Sequence, residues 1–350
     1  MRAAVLTQPG SFELVQTSEP GCAPDEVIVH VATCGICGTD RAIFRGEAPA
    51  AWPVVLGHEF SGLVVEVGSQ VTELAVGDRV AADPNVVDGT CFFCRRGETN
   101  LCSGLSPLGI TRNGGFAEFA AVPATNAYRL PETVSVEDGS LVEPLACCVR
   151  GIDQARIGLG DIVAVLGAGP IGCLLIQLAC IQGAGTVLAV EPDSARREHA
   201  MAAGADLTCG PEDAVAVLNE LRDPAADVVI EASGRTQTAE WAIGLVRRGG
   251  TVVLFGVYPE QEQLSVNPFR VNEDELRIVG SLNNPNTHQR AIDLLASGRV
   301  ALDGVITHRL GLEDLPQAMD RESFPGAGKI TVDPRTNAVA LDQSAACCGT

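Results

Sequence analysis

The sequence predicts an α/β chain, with a β-rich first segment followed by a doubly wound parallel sheet. Two observations carry that expectation. Residues 1 to about 80 hold short Val-rich runs bounded by Gly, Pro and Ser, the pattern of strands closed by turns. From Asp161 onward, continuous apolar runs alternate with helical stretches, as expected of parallel strands buried on both faces. With 350 residues, 46% of them hydrophobic, the chain suits about two domains and can bury a large core.

In the first segment the expected strands are Ala3–Val5, Phe12–Val15, Glu26–Ala32 and Leu63–Val67. The run Glu26-Val27-Ile28-Val29-His30-Val31 alternates like a half-buried strand. It leads into Cys34-Gly35-Ile36-Cys37-Gly38-Thr39-Asp40, so Cys37 is expected on the turn and short helix that follow. Val54-Val55-Leu56 then leads into Gly57-His58-Glu59. A thiolate, an imidazole and carboxylates within a couple of dozen residues form a mixed S/N/O set that suits zinc with one position left open. A lone His58 would read as a packed residue at a strand edge; Glu59 beside it and Cys37 upstream favour a metal. Thr39 lies two residues from the thiolate, where its hydroxyl could meet an alcohol. Asp40 need not be a ligand and could accept the second N–H of His58. Phe44, Arg45 and Trp52 read equally as pocket wall or as packing and surface.

Residues 84–102 are rich in Gly and Cys. The spacing Asp88-x2-Cys91-x2-Cys94-x7-Cys102 resembles a closed structural zinc lobe, with aspartate where a first thiolate is usual. Carboxylate oxygen also binds zinc, so the lobe reads either as a weakened metal site or as a metal-free loop with three spare thiols.

The second segment opens with the strand Ile162–Leu166. Gly167-Ala168-Gly169-Pro170-Ile171-Gly172 follows at once, and a helix is expected over Leu174–Ile181. A G-x-G-x-x-G turn between strand and helix is the setting of a dinucleotide site. Its glycines let backbone approach a pyrophosphate, and the helix N-terminus offers free N–H groups. The strand Thr186–Val190 ends at Glu191, 24 residues past Gly167, where a carboxylate can hold the adenosine ribose. Glu191 would repel a 2′-phosphate and so favours NAD over NADP. Arg196 and Arg197 pull the other way. Further strands are expected at Asp227–Ile230, Thr251–Phe255 and Arg277–Gly280. Ser233, Gly234 and Val257 at their ends read either as cleft lining or as ordinary loop residues. Helices over Thr287–Ser297 and Glu313–Arg321, a closing strand Gly328–Val332 and a frayed tail from Ala340 to Thr350 complete the chain.

Net charge is −20, which argues against nucleic acid as a partner. Lys329 is the only lysine among the 24 basic Lys and Arg residues. No apolar run reaches the length of a membrane span, and Met1–Gly10 carries no signal-like apolar stretch, so a cytoplasmic protein is expected. Of 13 cysteines, four sit in ligand-like contexts and the other nine read as small apolar fillers or surface thiols. The pairs Cys147-Cys148 and Cys347-Cys348 are adjacent, and neighbouring side chains diverge in regular structure.

Taken together, Cys-Gly-Ile-Cys-Gly-Thr-Asp, Gly-His-Glu, the Cys lobe, Glu143-Pro144-Leu145-Ala146 and Gly-Ala-Gly-Pro-Ile-Gly resemble the zinc-dependent medium-chain dehydrogenase/reductase superfamily, in its polyol (sorbitol-like) and threonine dehydrogenase branch. The resemblance covers residues 1 to about 335. It implies a GroES-like catalytic domain over residues 1–146, a Rossmann NAD-binding domain over 147–284, and a return to the catalytic domain over 285–350. It also implies an oxidoreductase that oxidises a secondary alcohol and passes hydride to NAD. By resemblance, Cys37 and His58 are catalytic zinc ligands, Glu59 is a ligand or a mobile neighbour, Glu143 binds zinc directly or through water, and Thr39 takes the substrate proton. The resemblance further suggests a homodimer or homotetramer. Two positions depart from the family: Ala42 stands where many relatives carry a proton-relay histidine, and Asp88 where they carry a cysteine. Threonine or amino-alcohol oxidation, and a non-catalytic nucleotide-binding relative, are the alternatives.

Overall fold

The computed structural model describes residues 1–221 and 225–336. The tail expected over Ala340–Thr350, with its Cys347-Cys348 pair, lies outside them. The chain forms two compact units: one of Met1–Pro84, Ser106–Arg129 and the chain from Thr307, the other of Asn85–Leu105 and Leu130–Ile306. The joints therefore fall at other residues than 146 and 284. Residue 146 lies inside the helix Val142–Ala155. That helix packs on Pro170–Gln182 and His288–Ala296, so it belongs to the second unit.

The first unit contains β1 (Arg2–Gln8), β2 (Ser11–Gln16), β3 (Glu26–Gly35), α1 (Gly38–Phe44), β4 (Val54–Val55), β5 (Glu59–Val67), β6 (Arg79–Ala82), β7 (Phe119–Pro123) and β8 (Ala127–Arg129). β1 pairs antiparallel with β2 and β4. β3 is the hub of the larger sheet and pairs antiparallel with β5, β7 and Lys329–Val332. This explains why β3 departs from the expected half-buried alternation: all its residues but Glu26 and His30 are buried. Its last residue, Gly35, is paired with Glu59 on one side and Thr331 on the other, and that register delivers both strands to the start of α1.

Two expectations in this unit change. Over the expected helix Glu313–Arg321 only Leu315–Ala318 is α-helical, flanked by single 3-10 turns at Leu312–Asp314 and Arg321–Ser323. Pro316 sits in the first turn of that helix, where its missing N–H costs nothing, and so marks a start rather than an interior. Phe44 stacks on Phe12 at 5.3 Å and exposed Arg45 pairs with Glu47, which makes these two packing and surface residues. Trp52 is half-exposed.

In the second unit, α2 (Val142–Ala155) precedes β9 (Ile162–Leu166), α3 (Pro170–Gln182), β10 (Thr186–Val190), α4 (Ser194–Ala202), β11 (Leu207–Cys209), β12 (Ala226–Glu231), β13 (Val246–Leu254) and β14 (Arg277–Gly280). All six strands are parallel, in the order β11-β10-β9-β12-β13-β14. β9 and β12 are buried at every residue, as sheet centres covered on both faces must be. One face packs on helices Ala214–Leu221 and Thr236–Leu245 through Leu218, Ala242 and Ile243. The strand order turns round between β9 and β12. In sheets of this kind the crevice beyond the carboxyl ends at that point receives a ligand.

Candidate metal and cofactor sites

In the first unit, ligand atoms of Cys37, His58 and Glu59 lie within 4.8 Å of one another. Cys37 precedes α1, and His58 and Glu59 stand at the start of β5, so the β3–β5 pairing brings the two ends together. Asp40 organises the group from a fully buried position. Its Oδ2 accepts the Cys37 N–H at 2.8 Å and its Oδ1 accepts the Gly57 N–H at 3.3 Å. The same Oδ1 stands 3.4 Å from His58 Nδ1. Burial alone would keep the imidazole neutral, but Asp40 and the Cys37 sulfur outweigh it and hold the His58 pKa well above the usual range. A cation entering the site displaces that proton. Thr39 Oγ1 lies 3.8 Å from Cys37 Sγ. Glu59 is ion-paired with the buried Lys329 ammonium.

These residues fit a zinc ion. Sulfur, nitrogen and oxygen donors converge within 4.8 Å of one another, the mixed donor set that zinc takes.

Asp88, Cys91, Cys94 and Cys102 form a second set, in the other unit, whose ligand atoms also fall within 4.8 Å. Asp88 Oδ1 accepts N–H bonds from Thr90 and Cys91 at 2.7 and 2.8 Å. The Cys91 and Thr90 backbone hold the carboxyl well below the usual range. The Cys94 and Ser103 backbone lowers the Cys91 thiol to about 7, while desolvation and the Cys102 and Cys91 sulfurs push Cys94 up to about 12. Without a cation the lobe sheds one proton readily and resists losing the next. With one bound, the thiolates can coexist.

Glu143 lies in the first turn of α2 and is buried. Asn284 Nδ2 donates to its Oε1 at 3.1 Å, and Asn85 Nδ2 donates to Asn284 Oδ1 at 2.7 Å. Cys147, one turn on, lies 3.4 Å from the same carboxylate. Cys148 turns away to Ile171. The adjacent thiols therefore diverge.

At the carboxyl end of β9, the turn Gly167–Gly172 leads into α3. Gly169 is the N-cap and provides no side-chain cap. Pro170 has no N–H, so the N–H groups of Ile171 and Gly172 are available at the positive end of the helix. A Cβ at Gly172 would lie 2.0 Å from Gly167 O, so the turn closes only with glycine there. Glu191, after β10, is buried and accepts the Ala168 N–H at 2.8 Å and the Asp193 N–H at 3.2 Å. It thereby ties the end of β10 to the glycine turn. Each carboxylate oxygen keeps a second lone pair for a ribose hydroxyl. Arg197 donates to the carbonyls of Glu191 and Pro192. Arg196 stands in the first turn of α4 as a half-exposed side chain. Ser233 is hydrogen-bonded to Glu231, and Val257 is 82% exposed. The uncapped helix start and the glycine-only turn fit a dinucleotide pyrophosphate.

Three partners were not anticipated from sequence: Lys329 on Glu59, Asn284 on Glu143, and Tyr258 on Glu231. Only Lys329 carried a signal, as the one lysine in the chain.

Comparison with known proteins agrees with this picture. Residues 23–132 match the alcohol dehydrogenase GroES-like domain, and residues 170–297 match the zinc-binding dehydrogenase domain. The chain is 36% identical to D-arabinitol dehydrogenase 1 of Uromyces fabae, over 95% of this chain and 97% of that protein. It is 34% identical to a sorbitol dehydrogenase of Halalkalibacterium halodurans, over 95% and 99%. Among solved structures, a Sinorhizobium meliloti 1021 protein assigned as a zinc-binding dehydrogenase and bound to NADP superposes with a TM-score of 0.91 at 40% identity, covering 95% of this chain and 99% of that one.

A parallel nucleotide-type sheet joined to a β-rich unit with a Cys/His/Glu cluster defines a metal-dependent dehydrogenase. The chain belongs to the zinc-dependent alcohol dehydrogenase family, within the medium-chain dehydrogenase/reductase superfamily. It is an oxidoreductase of alcohol groups that uses zinc and a nicotinamide dinucleotide. Among the described residues no helix is long and apolar enough to cross a membrane.

Proposed function

We propose that this protein is an NAD-dependent polyol dehydrogenase that oxidises a secondary hydroxyl of a sugar alcohol or cyclitol to a ketone. The convergence of Cys37, His58 and Glu59, in a chain 36% identical to a D-arabinitol dehydrogenase, carries this reading. Cys37 and His58 hold the catalytic zinc, with Glu59 as a further carboxylate that binds it or stands beside it. When bound, zinc supplies a Lewis acid that lowers the proton affinity of an alcohol oxygen, and the nicotinamide ring takes up hydride. Asp40 keeps the His58 ring turned by its Nδ1, leaving Nε2 for the ion. Thr39 receives the hydroxyl proton. Because Ala42 offers no relay, that proton leaves through water, Glu59 or a ribose hydroxyl.

Gly167, Gly169, Pro170, Ile171 and Gly172 receive the pyrophosphate, and Glu191 receives the adenosine ribose. Ser233 and Val257 lie toward the nicotinamide half. Asp88, Cys91, Cys94 and Cys102 hold a structural zinc. The unit of Met1–Pro84, Ser106–Arg129 and the chain from Thr307 carries the catalytic part, and the unit of Asn85–Leu105 and Leu130–Ile306 the nucleotide-binding part. The same reading takes the protein as a cytoplasmic homodimer or homotetramer.

A panel of polyols, simple alcohols and L-threonine with either cofactor, followed by absorbance of the reduced nicotinamide, tests the reaction. Polyols with NAD are expected to give the highest kcat/KM. Turnover confined to L-threonine would reject the substrate class. A preference for NADP would show that Arg196, not Glu191, decides the cofactor, as the NADP-bound Sinorhizobium relative makes conceivable. Thr39→Val is expected to cut kcat about a hundredfold while the protein keeps its zinc by elemental analysis. A parental rate would remove Thr39 from the proton path.

A further inference from the structure

Glu231, the last residue of β12, is fully buried. Its carboxylate collects four donors. Ser233 N–H lies at 2.8 Å and Gly234 N–H at 3.2 Å, and the Ser233 and Tyr258 hydroxyls make short bonds to it. Among the described residues no Lys or Arg pairs with it. Its backbone carbonyl also accepts the N–H groups of Phe255 and Gly256, at 3.0 and 2.9 Å. One residue thus holds both the turn after β12 and the turn after β13. The two turns meet backbone to backbone: a Cβ at Gly256 would stand 2.3 Å from Gly234 N. Charge-assisted bonds of this kind are about twice as strong as neutral ones. Burial and Glu231 raise the Tyr258 pKa far above its usual value, so the phenol stays a donor.

The knot sits at the carboxyl ends of β12 and β13. In a six-stranded sheet of this order the first half, β9 to β11, takes the adenosine end, and the second half takes the other mononucleotide. Val257, between Gly256 and Tyr258, is the exposed apolar residue of the knot.

We propose that Tyr258 and Glu231 form a positioning clamp for the nicotinamide end of the cofactor, fixing the turn that presents Val257 without touching the adenosine end. The proposal rests on the nicotinamide-dinucleotide reading above. Releasing the clamp costs affinity only for ligands that carry a nicotinamide ring.

The test compares NADH, NAD and ADP-ribose binding to the zinc-loaded protein by fluorescence and calorimetry. Tyr258→Phe keeps the ring and removes one charge-assisted bond. It is expected to weaken NADH and NAD about tenfold, with ADP-ribose changed less than about twofold. Glu231→Gln is expected to act in the same direction and at least as strongly. Parental NADH affinity in Tyr258→Phe would overturn the proposal, as would an equal loss for ADP-ribose. If the parent protein itself bound none of the three, the cofactor reading would fail instead. Should Glu231→Gln not fold, the Tyr258→Phe comparison decides alone.

Discussion

Cys37→Ser and His58→Ala are each expected to abolish alcohol turnover, by at least about a thousandfold, while NADH binding stays within about twofold of the parent. The size follows from what a bound zinc ion does to oxygen acidity, taking water from a pKa of 15.7 to about 7. Neither a serine hydroxyl nor an alanine methyl replaces the lost donor. The structure makes these variants clean probes. Serine at 37 is a good residue ahead of a helix, and Asp40 still accepts the backbone N–H there. The glycine turn and Glu191, which serve the cofactor, belong to a different unit of the chain. Zinc content, NADH formation and NADH fluorescence titration, measured on the same folded samples, check the expectation. Full turnover in a zinc-free Cys37→Ser protein would take the metal out of the reaction.

The sequence reveals this chain unevenly, for physical reasons. The parallel sheet is legible because a strand buried on both faces must be apolar throughout. Ile162–Leu166 and Thr186–Val190 have the expected limits. The glycine turn is legible because backbone at that approach tolerates no side chain. Cys37, His58 and Glu59 are legible as chemistry, since soft and hard donors seldom cluster without a cation. Their meeting in space depends on the β3–β5 register, which no local pattern encodes. The burial of β3 was hidden for the same reason, because a central position depends on partners far along the chain. Least legible were the groups that hold other groups. Asn284 reaches Glu143 across 141 residues and Tyr258 reaches Glu231 across 27, and nothing near either residue announces the contact.

Lys329 lies between these cases and gives the second large expectation: Lys329→Met should destabilise the metal-stripped protein by about 3–5 kcal/mol. Its side chain is 8% exposed and that of its partner Glu59 is 1% exposed. Removing the ammonium takes from a carboxylate deep in the unit its ion-pair partner, which is what makes a broken buried pair so costly. The pair also explains why this position holds the chain's one lysine. A Cβ at Gly35 would come within 2.2 Å of Glu59 Oε2 and 2.9 Å of Lys329 Cε, so the pair occupies the space a side chain there would need. Two comparisons separate charge from packing. Lys329→Met combined with Glu59→Gln removes both charges and is expected to recover most of the loss. Zinc should also narrow the gap between parent and Lys329→Met, because a cation beside Glu59 compensates the orphaned carboxylate and binds only the folded state. Urea unfolding of stripped and zinc-loaded samples measures both effects. A stripped Lys329→Met protein as stable as its parent would show that the Lys329–Glu59 pair does not hold this unit together.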